Sequence, residues 1–96
     1  MEKIKISEQE IINSLCVYIA DKRRVSPEQV EMELMYDDDY GFSAEAHVNG
    51  RSQILITANI IEALRFYIEH ELNRDPFAAK LELKLDDDEG IIAYVQ

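Results

Sequence analysis

One cysteine, no tryptophan, two prolines and three glycines are all that the 96 residues hold of these types, and each scarcity removes a class of protein. Cys16 by itself forms no intrachain disulfide and no thiolate cluster for zinc, which fits a reduced cytoplasmic setting. Three scattered glycines build no phosphate-cradling loop. Basic residues are few too: ten Lys and Arg against twenty Asp and Glu leave a net charge of −10. That balance repels phosphate backbones and anionic bilayers, so neither nucleic acid nor a membrane is an expected partner. No eighteen-residue apolar run occurs, and Met1-Glu2-Lys3-Ile4-Lys5-Ile6 lacks the apolar stretch and cleavage site of a signal peptide.

What is present is globular: 47% hydrophobic and 31% charged residues, well away from compositions that stay disordered. The chain also matches itself. Sliding it by 49 positions lays Ser7 through His47 on Ile56 through Gln96 without a gap, with thirteen identities in 41 pairs. Ile11, Ile12, Leu15, Tyr18 and Ile19 fall on Ile60, Ile61, Leu64, Tyr67 and Ile68, each set one stripe of a helix. Pro27 falls on Pro76, Glu33-Leu34 on Glu82-Leu83, the two Asp triplets and their glycines on each other, and Ala44 on Ala93.

Local signals give the elements. Ser7 with Glu10 three residues later opens a helix that reaches about Arg24, its end marked by Lys22, Arg23 and Arg24. A second helix is predicted from near Thr57 to near Asn73. Ser26-Pro27 and Asp75-Pro76 each predict a short helical turn. Alternation then predicts strands with Met32, Leu34 and Tyr36, and Leu81, Leu83 and Leu85, facing inward, and return strands with Phe42, Ala44, Ala46 and Val48, and Ile91, Ala93 and Val95, doing the same. Asn49-Gly50 predicts a two-residue hairpin into a strand from Arg51 to Ile56, and Lys3 to Ile6 suits an edge strand. The expected fold is α+β: one antiparallel sheet of five or six strands carrying two amphipathic helices on one face. It is built from a duplicated (β)αββ unit, halves about 1–49 and 50–96, about a pseudo-two-fold axis. One domain spanning 1–96 is expected, because half the chain buries too little apolar surface to stand alone.

Seven of the twenty acids lie in the two turns, Asp37-Asp38-Asp39 and Asp86-Asp87-Asp88-Glu89. Asp37 with Asp39 and Asp86 with Asp88 offer oxygen ligands on alternate residues, the donor type that calcium or magnesium takes. The turn lacks the remaining positions of an EF-hand loop, and aspartate before glycine is equally what a tight turn needs. Solvated adjacent carboxylates lack the burial that prepares an acid or base. His47 and His70 read as surface residues outside any ligand pattern, Cys16 as a near-core thiol, and no serine sits in a nucleophile elbow. The expectation is no enzyme and no cofactor. The order helix, three strands, helix is that of a double-stranded-RNA-binding domain, but Thr57-Ala58-Asn59-Ile60-Ile61-Glu62 brings no lysine to a phosphate. Met35, Leu55, Ile92 and Tyr94 are expected on the sheet face away from the helices, as a surface for a protein partner or for a homodimer.

The segments Glu33-Leu-Met-Tyr-Asp-Asp-Asp-Tyr-Gly-Phe-Ser-Ala-Glu45 and Asp86-Asp-Asp-Glu-Gly-Ile-Ile-Ala-Tyr-Val95 resemble the uncharacterised YxcD-like family of small acidic bacterial proteins. The resemblance covers essentially the whole chain. It implies a short cytosolic protein and carries over no catalytic residue. The sequence therefore leads to a non-enzymatic module acting through protein contacts or self-association, with divalent-cation binding at the acidic turns as the alternative.

Overall fold

A computed structural model describes residues 3–73, 75 and 80–96. The elements run β1 (Ile4–Ile6), α1 (Glu8–Arg23), a 3₁₀ turn (Pro27–Gln29), β2 (Val30–Asp37), β3 (Gly41–Val48), β4 (Arg51–Ile56), α2 (Thr57–Glu71), β5 (Leu81–Asp86) and β6 (Gly90–Val95). The fold is α+β, but the six strands do not form the expected single sheet. They divide into two antiparallel sheets of three, in the orders β2-β3-β4 and β1-β6-β5. Alternation within a strand reports which side faces a core and is silent about which strands are neighbours. Here β2 and β5 each stop a sheet, with Glu31 and Glu33 on one and Glu82 and Lys84 on the other, charges of the kind that blunt a sheet edge.

Both helices form for the reasons their sequences suggest. Ser7 caps α1: its hydroxyl accepts from the Glu10 N–H at 3.2 Å while Glu10 Oε1 accepts from the Ser7 N–H at 3.2 Å. The helix closes through Arg24, whose left-handed φ of 56° follows a last turn carrying Lys22 and Arg23. In α2 the corresponding cap is one-sided. Asn59 Oδ1 accepts from the Ile56 N–H at 3.0 Å, and Ile56 has no side-chain acceptor to return. At the 3₁₀ turn Gln29 Oε1 accepts from the Ser26 N–H at 2.9 Å and the Ser26 hydroxyl accepts from the Glu28 N–H at 3.4 Å; the turn expected at Pro76 lies outside the described residues.

The apolar stripes meet in one core. Ile11, Leu15 and Ile19 of α1 and Ile60, Leu64 and Ile68 of α2 are buried with Ile6, Val30, Ala44, Ala46, Leu55, Ala93 and Val95, and Leu34, Leu81 and Leu83 pack around them. α1 touches α2, β2 and β6, so it bridges the two sheets, while α2 lies on β3 and β4. Ala44 and Ala93, both fully buried, keep the central strands thin where the helices approach.

Strand registers repeat with the chain. Leu34 faces Ala44 and Asp37 faces Gly41 across β2 and β3, as Leu83 faces Ala93 and Asp86 faces Gly90 across β5 and β6. Leu55 of β4 faces Ala44, as Ile6 of β1 faces Ala93. In every case the two sets of numbers differ by 49. The third strand of each sheet thus belongs to the other half: β4 completes the β2-β3 hairpin and β1 completes β5-β6. A second crossing fixes the helix starts. The Ile91 N–H donates to Glu8 Oε2 at 2.8 Å, and the Thr57 hydroxyl donates to the Phe42 carbonyl at 2.6 Å, so the first residue of each helix grips the strand that follows the other half's acidic turn.

The glycine of the second turn shows how tight that grip is. Gly90 and Gly50 share a φ of +78°, but an added Cβ would strike the Glu8 carboxylate at Gly90 and meet nothing within 4 Å at Gly50. Gly50→Ala should cost about 1 kcal/mol, the penalty of a left-handed alanine. Gly90→Ala should cost about 1 to 2 kcal/mol more, because the Glu8 bond to Ile91 must yield as well. Urea unfolding midpoints compare the two, and equal losses would contradict the interlock.

Candidate interaction surface

Asn49 and Gly50, at φ 50° and 78°, form the predicted two-residue turn and put Val48 opposite Arg51. Counting outward by pairs, Ala46 then faces Gln53 and Ala44 faces Leu55. Leu55 must therefore point inward, and it is buried. This corrects the expectation that it lines the outer face; the neighbouring Ile54 and Ile56 do so instead, 56% and 60% exposed. Ile92 is likewise buried rather than available, while Met35 and Tyr94 are half-buried. The four residues expected to form one surface are not brought together: Met35 and Leu55 belong to one sheet, Ile92 and Tyr94 to the other.

Met35, Ser43 and Ile56 form one row across the outer face of β2-β3-β4, and Glu33, Glu45 and Ile54 the next. Tyr40, at the tip of the first acidic turn, is 87% exposed. Together with Asp37, Phe42, Thr57 and Ala58, Met35, Tyr40, Ile54 and Ile56 line a hollow of about 540 Å³. Among the described residues that line it, none is basic. His47, on the same face as Glu45, lies 3.2 Å from that carboxylate.

The other sheet repeats the strand register with different chemistry. Forty-nine positions from Ile54, Tyr40 and Met35 stand Lys5, Glu89 and Lys84. Lys5 Nζ contacts Glu89 Oε1 at 2.7 Å, and its pKa is raised by that hydrogen bond. Asp86 is held below the ordinary carboxylate value, first by the Glu89 and Asp88 backbone N–H groups and then by Lys84 and Lys5.

Within both acidic turns the first aspartate is occupied by its own backbone. Asp37 Oδ1 accepts from the N–H groups of Asp39 and Tyr40 at 2.8 and 3.1 Å; Asp86 Oδ1 accepts from those of Asp88 and Glu89 at 2.8 and 2.9 Å. This is the aspartate turn that mimics a backbone turn. The two turns sit against the starts of different helices, so Asp37 and Asp39 are not joined to Asp86 and Asp88. Among the described residues no three of His, Cys, Asp and Glu converge as a metal site would require.

A second concavity, about 230 Å³, lies between the helices and is lined by residues that include Val17, Phe66, Tyr67 and His70. The Phe66 and His70 rings stand 4.2 Å apart. Beside it Tyr67 donates to Glu10 Oε2 at 3.0 Å, and Ser14 donates to the Glu10 carbonyl at 2.7 Å. Cys16 is half-buried, its Sγ 3.7 Å from the Val30 carbonyl, and burial pushes its thiol pKa up, away from nucleophilic use. No described helix is long and apolar enough to cross a membrane.

An α+β protein of two interlocked three-stranded sheets, one of them exposing Ile54 and Ile56 on its outer face, is what this geometry defines. The chain belongs to the family described as protein of unknown function (DUF2653), whose model matches residues 1–88. It is 35% identical over 75 residues to the uncharacterized protein YxcD of Bacillus subtilis strain 168, a match covering 77% of this chain and 74% of the relative. No solved structure matches.

The cap at Glu10 carries a pH signature. Its pKa is held below the ordinary carboxylate value, chiefly through the Ser7 backbone N–H, with burial opposing and the Ser7 and Tyr67 hydroxyls assisting. A carboxyl whose folded pKa is depressed stabilises fully above its unfolded value and loses that contribution as pH falls through the folded one. Wild type should therefore lose more melting temperature than Glu10→Gln between about pH 5 and pH 3. Parallel melting curves over that range would remove Glu10 from the account.

Proposed function

We propose that this protein is a non-enzymatic cytoplasmic module that acts through protein contacts, and that the outer face of β2-β3-β4 is its contact surface. The observation that carries the reading is the contrast between two equivalent faces. Where one closes itself with the Lys5–Glu89 pair, the other sets Ile54 and Tyr40 at the matching positions, 56% and 87% exposed. The backbone does not require the apolar version, since the same frame is built with charges on its other copy. Exposed apolar side chains clustered on one face mark contact sites more often than scattered ones do. The matched registers also favour an origin by duplication of a βαββ unit, after which the two outer faces diverged at the positions of Lys5 and Ile54 and of Glu89 and Tyr40.

The alternative, calcium or magnesium held by Asp37, Asp39, Asp86 and Asp88, has less behind it: the first aspartate of each turn already spends one oxygen on backbone N–H groups. A photo-crosslinking side chain placed at position 54, and separately at position 5, in the chain expressed in its native host tests the contact reading. Adducts should form from position 54 and not from position 5; an adduct of twice the chain mass identifies a homodimer and any other mass a different protein. Equal yields from the two positions would refute the assignment, and a rise in melting temperature with millimolar calcium or magnesium would favour the cation reading.

A further inference from the structure

The chemistry around the contact face says more about its occupant, on the premise that the face is a contact surface. In the β1-β6-β5 sheet the acidic turn is answered from within: Lys5 pairs with Glu89, and Lys5 and Lys84 both act on Asp86. In the β2-β3-β4 sheet those two lysine positions are Ile54 and Met35. The Asp37-Asp38-Asp39 turn, with Glu33 and Glu45 on the same face as Ile54, therefore borders an apolar floor in which no described lining residue is basic. Among the described residues, the two lysines that act on one turn have no basic counterpart at the matching positions beside the other.

We propose that the face binds a basic amphipathic segment of a partner protein, its apolar side chains on Met35, Ile54, Ile56 and Tyr40 and its Lys or Arg residues on the acidic border. A second copy of this chain is the poorer fit. It would bring an identical acidic border and a net charge of −10 against the first, and like charges set face to face across an interface oppose association. A basic segment gains on both counts, since apolar burial supplies affinity and opposite charge supplies orientation and a fast encounter. Laying an amphipathic helix on an apolar surface is an established mode of peptide recognition.

Three synthetic peptides of about eighteen residues, five helical turns, test the assignment by calorimetry against the full chain: leucine with lysine, leucine with glutamate, and serine with lysine. The leucine–lysine peptide should bind, and more tightly at low salt; the other two should bind at least about tenfold more weakly. The double substitution Ile54→Lys and Tyr40→Glu copies the ion pair of the other sheet and leaves the net charge unchanged. It should weaken the leucine–lysine peptide by at least about tenfold. Ile56→Ser is the second variant, because a serine there supplies the cap hydroxyl that α2 lacks, so folding is kept while apolar surface is removed; it too should weaken binding. Undiminished binding by both variants, or equal binding of the serine–lysine peptide, overturns the proposal. Equal binding of the leucine–glutamate peptide that both variants abolish leaves the face as a contact surface and overturns the basic partner. Self-association abolished by the same variants replaces that partner with a second copy.

Discussion

Neither half of this chain completes its own sheet. β4 follows β3 across the Asn49-Gly50 turn and fills the open edge of the first half's hairpin, while β1 crosses nearly the full length of the chain to fill the edge of the second. The pairing of Ile4 to Ile6 with Ala93 to Val95 has to offset the loop-closure entropy of bringing distant segments together. It does so with three residue pairs in which Ile6, Ala93 and Val95 are essentially fully buried and Ile4 is half-buried. Because each sheet takes its edge strand from the opposite half, and Glu8 and Thr57 each hold the strand after the opposite turn, the core, the helices and the turns are mutually dependent.

That dependence explains the acidic turns more economically than a bound ion does. Each turn needs a reversal in three residues, a side chain that accepts from two successive backbone N–H groups, and a glycine at positive φ before the return strand. Asp37 and Asp86 supply the acceptor, and Gly41 and Gly90 the conformation. The remaining aspartates are exposed, and their charge becomes a matter of surroundings. Lys5 and Lys84 stand in the surroundings of one turn; Ile54 and Met35 stand in those of the other.

How much could be read in advance follows the range of the interaction. The Ser7–Glu10 cap, the Ser26–Pro27 turn, the Asn49-Gly50 hairpin and the helix stripes each involve residues within a few positions, and all were legible. The outer face was half legible. Met35 follows from alternation within β2, but an outward Leu55 conflicts with the hairpin register, which, counted from Val48 and Arg51, puts it opposite buried Ala44. That count was available from the turn itself. Ile92 is different: nothing in the alternation of β6 signals that a residue on the side opposite Ile91 and Ala93 is fully buried.

The sequence by itself determined the α+β class, the two helices, the six strand segments, the geometry of both acidic turns and the 49-residue correspondence, because these rest on local backbone preferences and on the period of apolar side chains. Only the tertiary structure decided that six strands make two sheets rather than one, that β1 and β4 cross between halves, and that Lys5 meets Glu89 where Ile54 and Tyr40 stand exposed. Those outcomes depend on which distant edges pair, and a strand's own pattern of alternation is the same whichever neighbour it takes.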